Sequence, residues 1–107
     1  MNKCHFLGKI TFNPELNEEN GVPFVNFELE IEDFRKGSNG EKVRNATYLA
    51  FEAWDSAALA IKKYAVKDDL IAVESIARNS VFDNVENPED QYLETYFRVT
   101  NFKILTQ

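Results

Sequence analysis

The sequence predicts an all-β barrel that carries one short helix, and three observations support this fold class. Apolar and polar residues alternate along most of the chain, which is the period of a half-buried strand. One internal segment has the composition of a helix instead. The length of 107 residues suits one domain, and no linker or repeat divides it. Residues 1–107 are therefore interpreted as a single domain.

Three strands are predicted in the amino-terminal half. Asn2–Phe12 forms the first strand, and a connecting loop follows in residues 13–23. Phe24–Glu32 alternates clearly between apolar and polar residues and forms the second strand. The turn residues of Gly37–Gly40 join it to a third strand over Lys42–Trp54. The second and third strands are therefore expected to form a hairpin.

The pattern changes after the third strand. Asp55 and Ser56 can cap a helix over Ala57–Ala65, which is rich in good helix formers. Leu70–Phe82 returns to strand character, and a last strand over Tyr92–Leu105 follows the polar loop of residues 83–90. The order β-β-β-α-β-β is that of the OB-fold. This fold is a five-stranded Greek-key barrel, here with one short α-helix between strands 3 and 4, and its outer face binds oligonucleotides and oligosaccharides.

Composition excludes several classes of protein. A run of about 18 apolar residues is absent, so neither a membrane span nor a signal peptide is expected. Cys4 is the only cysteine, which excludes an intrachain disulfide and agrees with a reducing, cytoplasmic location. His5 is the only histidine, and the chain has neither a nucleophile motif nor a glycine-rich phosphate loop. We therefore expect no catalysis, no metal and no cofactor.

Charge and aromatic content point in opposite directions. The formal net charge of −6 is opposite in sign to that of a typical nucleic-acid binder. However, nine Phe, four Tyr and one Trp exceed what the core of a small barrel needs. The extra aromatic side chains are therefore expected to have a function on the surface.

The strand alternation indicates which aromatic side chains face outward. Phe34, Tyr48 and Trp54 fall opposite the apolar set of their strands, and Phe82 ends the fourth strand. Exposed rings on such a barrel can stack on bases, because every base has a π-face. The alternative is that some of them plug a subunit interface or cap the barrel. The rings expected in the core are Phe27, Phe51 and Phe97.

Cations lie beside these rings in the sequence. Four of them, Arg35, Lys36, Lys42 and Arg44, flank the predicted hairpin turn, and Arg78 lies on the fourth strand. Cations interleaved with aromatic side chains are typical of a groove that binds single strands. Charged residues that flank a turn are also often only solvated.

Several short segments occur in the order and spacing of a known family. They are Met1–Lys3, Leu7–Ile10, Pro14–Leu16, Pro23–Phe27, Asn39–Glu41, Ile61–Tyr64 and Ala72–Glu74. In these segments the chain resembles the bacterial and phage single-stranded DNA-binding proteins. The resemblance extends from Met1 to about Leu105. The resemblance places the family's base-stacking aromatics at Phe34, Tyr48, Trp54 and Phe82.

This resemblance implies a function. It implies binding and protection of single-stranded DNA during replication, recombination or repair, in the cytoplasm of a bacterium or of a phage-infected cell. It also implies a homo-oligomer, a tetramer, with contacts through the first strand around His5–Lys9, and replication or recombination proteins as possible partners.

The chain departs from the family pattern in several places. The family's acidic carboxyl tail has no counterpart after Ile104–Gln107, so recruitment of partners through such a tail is not expected. Asp68–Asp69 stands where the family often has glycine in a turn. Ala50 replaces a common basic residue and Glu52 adds a negative charge nearby, which predicts weaker electrostatic affinity. The alternative function is an OB-fold module for protein interaction or assembly that has lost DNA binding, which the net charge favours.

Overall fold

The computed structural model describes residues 1–83, 86–87 and 89–106. Asn84, Val85 and Pro88, which belong to the predicted polar loop, and Gln107 lie outside the described residues. The elements are β1 (Cys4–Ile10), β2 (Glu15–Glu19), β3 (Val22–Lys36), β4 (Lys42–Trp54), α1 (Ser56–Tyr64), β5 (Leu70–Asp83) and β6 (Gln91–Ile104).

The strands form one sheet that closes on itself. Their order is β1-β5-β6-β4-β3-β2, and β1 also pairs with β3 through Lys9 and Ile10. This last pairing closes the barrel, and it brings the two backbones close together at Gly8. A Cβ atom on Gly8 would lie 2.9 Å from the carbonyl oxygen of Glu30, so only glycine fits this crossing without a shift.

The sheet contains one strand more than the sequence analysis predicted. Glu15–Glu19, interpreted there as part of a loop, forms β2 and pairs with the start of β3. The two strands are joined by Asn20 and Gly21, with φ angles of 51° and 81°. Such positive φ angles in a two-residue connection are those of a type I′ hairpin turn, for which Asn-Gly is the preferred pair. All five side chains of β2 are exposed, so no apolar alternation revealed it.

The core lies inside this closed sheet, as the alternation predicted. Phe27 and Phe51 are buried and their rings stack at 5.3 Å between centroids, while the partly buried Phe97 packs against them. Leu49 and Ala53 point inward from β4, with Phe51 between them. The predicted core aromatics are therefore confirmed.

Helix α1 closes one side of the barrel through Ala58 and Ile61, which are buried. Leu59 and Tyr64 of the same helix are exposed. Asp55 occupies the N-cap position with φ 56°, and its side chain makes no capping hydrogen bond. Its backbone N–H donates to the carbonyl of Pro23 at 2.9 Å, which ties the helix start to β3. Across the described ranges, no helix is long and apolar enough to cross a bilayer.

The turn after the helix contains a strained residue. Asp68 has a φ of 77°, in the left-handed region that glycine adopts more readily than other residues. The family that the chain resembles often has glycine in this turn. The backbone N–H of Asp68 donates to the carbonyl of Ile10 at 2.8 Å, so contact with β1 offsets part of the strain.

Two hairpins project from the barrel. The Cα radius of gyration is 16.2 Å, compared with about 13 Å for a compact chain of this length. The difference arises because the far ends of β3 and β4, and of β5 and β6, pair with each other beyond the core. The first is called the β3–β4 arm (residues 32–45) and the second the β5–β6 arm (residues 79–83 and 91–95).

Candidate nucleic-acid interface

The register of β3 and β4 gathers the aromatic side chains on one side of the sheet. Phe24 pairs with Trp54, Glu30 with Tyr48, and Phe34 with Arg44. All of these positions are even-numbered, and even-numbered side chains point away from Phe27 and Phe51 in the core. This side is called the outer face, and it extends from the barrel along the β3–β4 arm.

Phe34 and Tyr48 are exposed on the outer face. Their exposed fractions are 52% and 55%, which confirms the orientation that strand alternation predicted. The Nζ atom of Lys42 lies 4.1 Å from the centroid of the Phe34 ring, within the range of a cation–π contact. A ring flanked by a cation can receive a base on its open face and a phosphate on the lysine.

Trp54 has a more enclosed environment than the other predicted stacking residues. Its half-buried indole stacks on Phe24, with 4.8 Å between centroids and 28° between planes. The indole Nε1–H donates to Glu52 at 2.9 Å, which fixes the orientation of the ring. The guanidinium carbon of Arg98 lies 5.8 Å from the ring centroid. Trp54 is therefore held in place by three neighbours before any ligand arrives.

Glu52 forms an ion pair whose partner could not be identified from the sequence. Its Oε1 lies 2.8 Å from the Nε atom of Arg98, and β4 and β6 run side by side at this point. The hydrogen bond that Arg98 donates to Glu52 raises the pKa of Arg98, which keeps the guanidinium charged. The expected penalty from Glu52 is therefore offset locally by a cation beside Trp54.

Phe82 lies on the β5–β6 arm, where it stacks on Tyr92 with 5.5 Å between centroids. It is 40% exposed, as expected for a ring outside the core. Arg78 precedes it on the same side of β5 and pairs with Tyr96 of β6. Arg98 shares this side of β6 with both tyrosines, so the arm continues the outer face beyond Trp54.

The predicted cations do not all reach the outer face. Arg35 pairs with Val43, and both are odd-numbered, so Arg35 lies on the opposite side of the arm from Phe34. Lys36 and Lys42 pair at the end of the arm and share the side of Phe34.

Arg44 lies on the outer face but is engaged by carboxylates. It forms ion pairs with Glu30 at 2.5 Å and with Glu32 at 2.8 Å. The hydrogen bond from Arg44 holds the pKa of Glu32 below its ordinary value, and the same bond raises the pKa of Arg44. Tyr48 donates to the other oxygen of Glu30 at 3.1 Å, and this bond raises the pKa of the phenol. Arg44 is therefore less available to a phosphate than its position suggests.

Removing the two carboxylates that hold Arg44 is expected to steepen the salt dependence of single-strand binding. In a Glu30→Gln/Glu32→Gln variant, Arg44 is free to meet one phosphate, which changes the log–log slope by about −0.7. The measurement is the affinity for oligothymidine over a range of salt concentrations. Glu28→Gln is the control, because it removes a charge from the same face without releasing an arginine. A slope that changes equally in both variants would contradict this role of the ion pairs.

Phe24 and Tyr92 were not predicted from the sequence to lie on this surface. Phe24 has the same phase as Phe34 on its strand, so the alternation alone could have identified it. Tyr92 and Arg98 are both even-numbered positions of the last strand and therefore face the same side. Only the pairing of β6 with β4 and β5 shows which residues lie beside them.

In the part of the chain that the structure describes, no three His, Cys, Asp or Glu side chains come together to hold a metal ion. The outer face therefore offers aromatic rings, a few cations and paired carboxylates. A closed five-to-six-stranded barrel with such a face belongs to the class of proteins that bind single strands by stacking.

Comparison with known proteins agrees with this class. The sequence model of the single-strand binding protein family matches residues 1–105, and the chain belongs to this family. A solved structure described as the single-strand binding protein of Plasmodium falciparum in complex with single-stranded DNA superposes with a TM-score of 0.85. It is 17% identical, and the match covers 98% of this chain and 95% of that one. This likeness confirms the OB-fold. No curated protein sequence matches the chain.

Proposed function

We propose that this protein coats single-stranded DNA by stacking bases on the outer face, and that it serves replication, recombination or repair. Membership of the single-strand binding protein family supports the binding itself. The observation that carries the mechanism is the exposure of Phe34, on the projecting β3–β4 arm, and of Tyr48, at the base of that arm, on the same face as Trp54. Rings in this arrangement bind bases of any sequence, because stacking does not depend on hydrogen-bond patterns.

The phosphate contacts come from a small set of cations. Lys36 and Lys42 lie beside Phe34, and Arg78 and Arg98 lie on the outer side of β5 and β6. Arg44 contributes less while Glu30 and Glu32 hold it, and Arg35 faces the other side of the arm. Stacking therefore supplies a larger share of the affinity than in a strongly basic protein.

The proposal is tested by titrating labelled oligothymidine and the matching duplex with the protein at low salt. We expect tight binding to the single strand and much weaker binding to the duplex, measured by fluorescence anisotropy. Two to four phosphate contacts predict a log–log salt slope of about −1.5 to −3. Trp54 is the only tryptophan, so its emission should be quenched as the strand binds. Equal affinity for both forms, or unchanged emission at saturation, would contradict the proposal.

The net charge of −6 favours a second candidate, an OB-fold module for protein interaction or assembly that has lost DNA binding. Glu28, Glu30 and Glu32 line the outer face and would repel a phosphate backbone that crossed them directly. The same titration separates the two candidates, since such a module binds neither oligonucleotide. Members of the family bind DNA without catalysing a reaction, and we assign no enzymatic activity.

Self-association is expected through β1, and a tetramer is the assembly that we propose. One edge of β1 pairs with β5 along Cys4–Lys9, but β3 covers the other edge only at Lys9 and Ile10. Among the described residues, no strand pairs with that second edge over Cys4–Gly8. An open edge is a template for another strand, here that of a second copy.

Light scattering at micromolar concentration should therefore give a mass well above 12.3 kDa. A Leu7→Glu variant places a charge on the exposed apolar residue of β1 and should shift the protein toward monomer. Leu16→Glu is the control, because Leu16 is equally apolar and exposed but lies on β2. A wild-type mass of 12.3 kDa would overturn the assembly.

A further inference from the structure

A shallow cavity of about 340 Å³, open to solvent, lies beside Trp54 on the outer face. Trp54 and Arg98 line it on the barrel side, and Glu19, Asn20 and Val22 line it from the β2–β3 hairpin turn. Its size is near the lower end of the range for small-molecule sites and accommodates one nucleobase. The sequence pattern predicts only a loop at this turn, without a functional role.

The polar groups of this cavity are arranged for hydrogen bonding as well as stacking. Arg98 bonds to Glu52 through Nε, so this pair holds the guanidinium beside the indole. The backbone of Glu19 pairs with Val22, but its side chain forms no ion pair or hydrogen bond with the residues that the structure describes. The cavity therefore combines an aromatic surface, a positioned cation and an uncommitted carboxylate.

Guanine is the base whose edges match these groups. Its N1–H and N2–H₂ are adjacent donors that a carboxylate accepts together, and its O6 and N7 are acceptors for a guanidinium. Thymine has one ring N–H between two carbonyl oxygens, and those oxygens repel an approaching carboxylate. Cytosine and adenine each present a single amino group next to ring acceptors. Only guanine places two adjacent donors opposite Glu19.

We propose that Glu19, Arg98 and Trp54 form a subsite that prefers guanine over thymine within an otherwise sequence-tolerant surface. Glu19 accepts from the N1–H and N2–H₂ groups, Arg98 donates to O6 or N7, and the indole supports the base. The inference rests on the proposed binding of single-stranded DNA. It adds a base preference at one position, which stacking alone does not produce.

The test compares labelled oligothymidine with the same strand carrying isolated dG residues, spaced so that they do not form quadruplexes. One well-formed bidentate contact discriminates against the wrong base by about fivefold to 150-fold, so the dG strand should bind at least about fivefold more tightly. Deoxyinosine lacks the N2 amino group, and placing it at the same positions should remove most of this gain.

The variant Glu19→Gln should bind the dG strand and oligothymidine equally. Glu18→Gln is the matched control: Glu18 neighbours Glu19 on β2, is also exposed and does not line the cavity. It should keep the preference while removing the same charge. Similar oligothymidine affinity in the two variants shows that both are folded.

The outcomes separate the two proposals. If wild type binds both strands equally well, the guanine subsite is wrong and single-strand binding stands. If Glu19→Gln retains the preference, Glu19 does not read the base and the subsite is also wrong. If neither strand binds to wild type, the proposed function itself fails, and the subsite fails with it.

Discussion

Alanine in place of both Phe34 and Tyr48 is expected to weaken the binding of single-stranded DNA by at least about 30-fold. Stacking contributes about 1–3 kcal/mol per base by alanine substitution, and the two rings receive different bases, one on the β3–β4 arm and one at its base. Both side chains are more than half exposed, so the free energy of unfolding should change by less than about 1 kcal/mol. Anisotropy titration and chemical denaturation measure the two quantities separately.

The matched control is Asn45→Ala/Thr47→Ala. Asn45 and Thr47 are exposed on β4 beside Tyr48, but their odd-numbered positions place them on the side opposite Phe34 and Tyr48. Their replacement removes polar groups without removing a stacking ring, so the affinity should stay near that of wild type. Equal losses in the two double variants would show that the outer face has no special part in binding.

Phe51→Ala should lower the free energy of unfolding by about 3–5 kcal/mol. The ring is 2% exposed and lies at the centre of an aromatic cluster. Its centroid is 5.3 Å from that of Phe27, 5.6 Å from that of Phe6 and 5.5 Å from that of Phe97. Alanine leaves a cavity that these rings cannot fill without moving. A loss of this size is a large part of the stability of a small domain, about 5–15 kcal/mol.

The contrast with Tyr48→Ala makes this prediction specific. Tyr48 is an aromatic residue of the same strand, three positions away, but its ring is exposed. Chemical denaturation should show a large fall in the midpoint for Phe51→Ala and almost none for Tyr48→Ala, whereas single-strand affinity should fall for Tyr48→Ala. A stability loss below about 1 kcal/mol for Phe51→Ala would mean that the cluster does not hold the barrel together.

Strand β2 shows where sequence reasoning reached its limit for the fold. Its five side chains are all exposed, so the apolar periodicity that identified the other strands was missing. The turn residues Asn20 and Gly21 did carry a hairpin signal, but they were interpreted as part of a loop. The consequence is functional, because this hairpin supplies Glu19 to the cavity beside Trp54.

The charges of the site could be counted from the sequence, but their partners could not. Glu52 was expected to weaken binding, whereas Arg98 neutralises it from a strand 46 residues away. Arg44 was expected to meet phosphates, whereas Glu30 and Glu32 hold it. Ion pairs of this kind depend on which side chains the strand register brings within about 4 Å of each other. Composition alone does not predict these distances.

For β3 and β4, the sequence by itself determined which side chains face outward, because successive side chains of a regular strand alternate between two faces. Phe34 and Tyr48 on the outside, and Phe27 and Phe51 in the core, follow from that local rule. Only the tertiary structure decided which outward residues are neighbours. The closure of the sheet and the parallel pairing of β4 with β6 bring distant segments together, and strand order and register are set by the packing of the whole barrel.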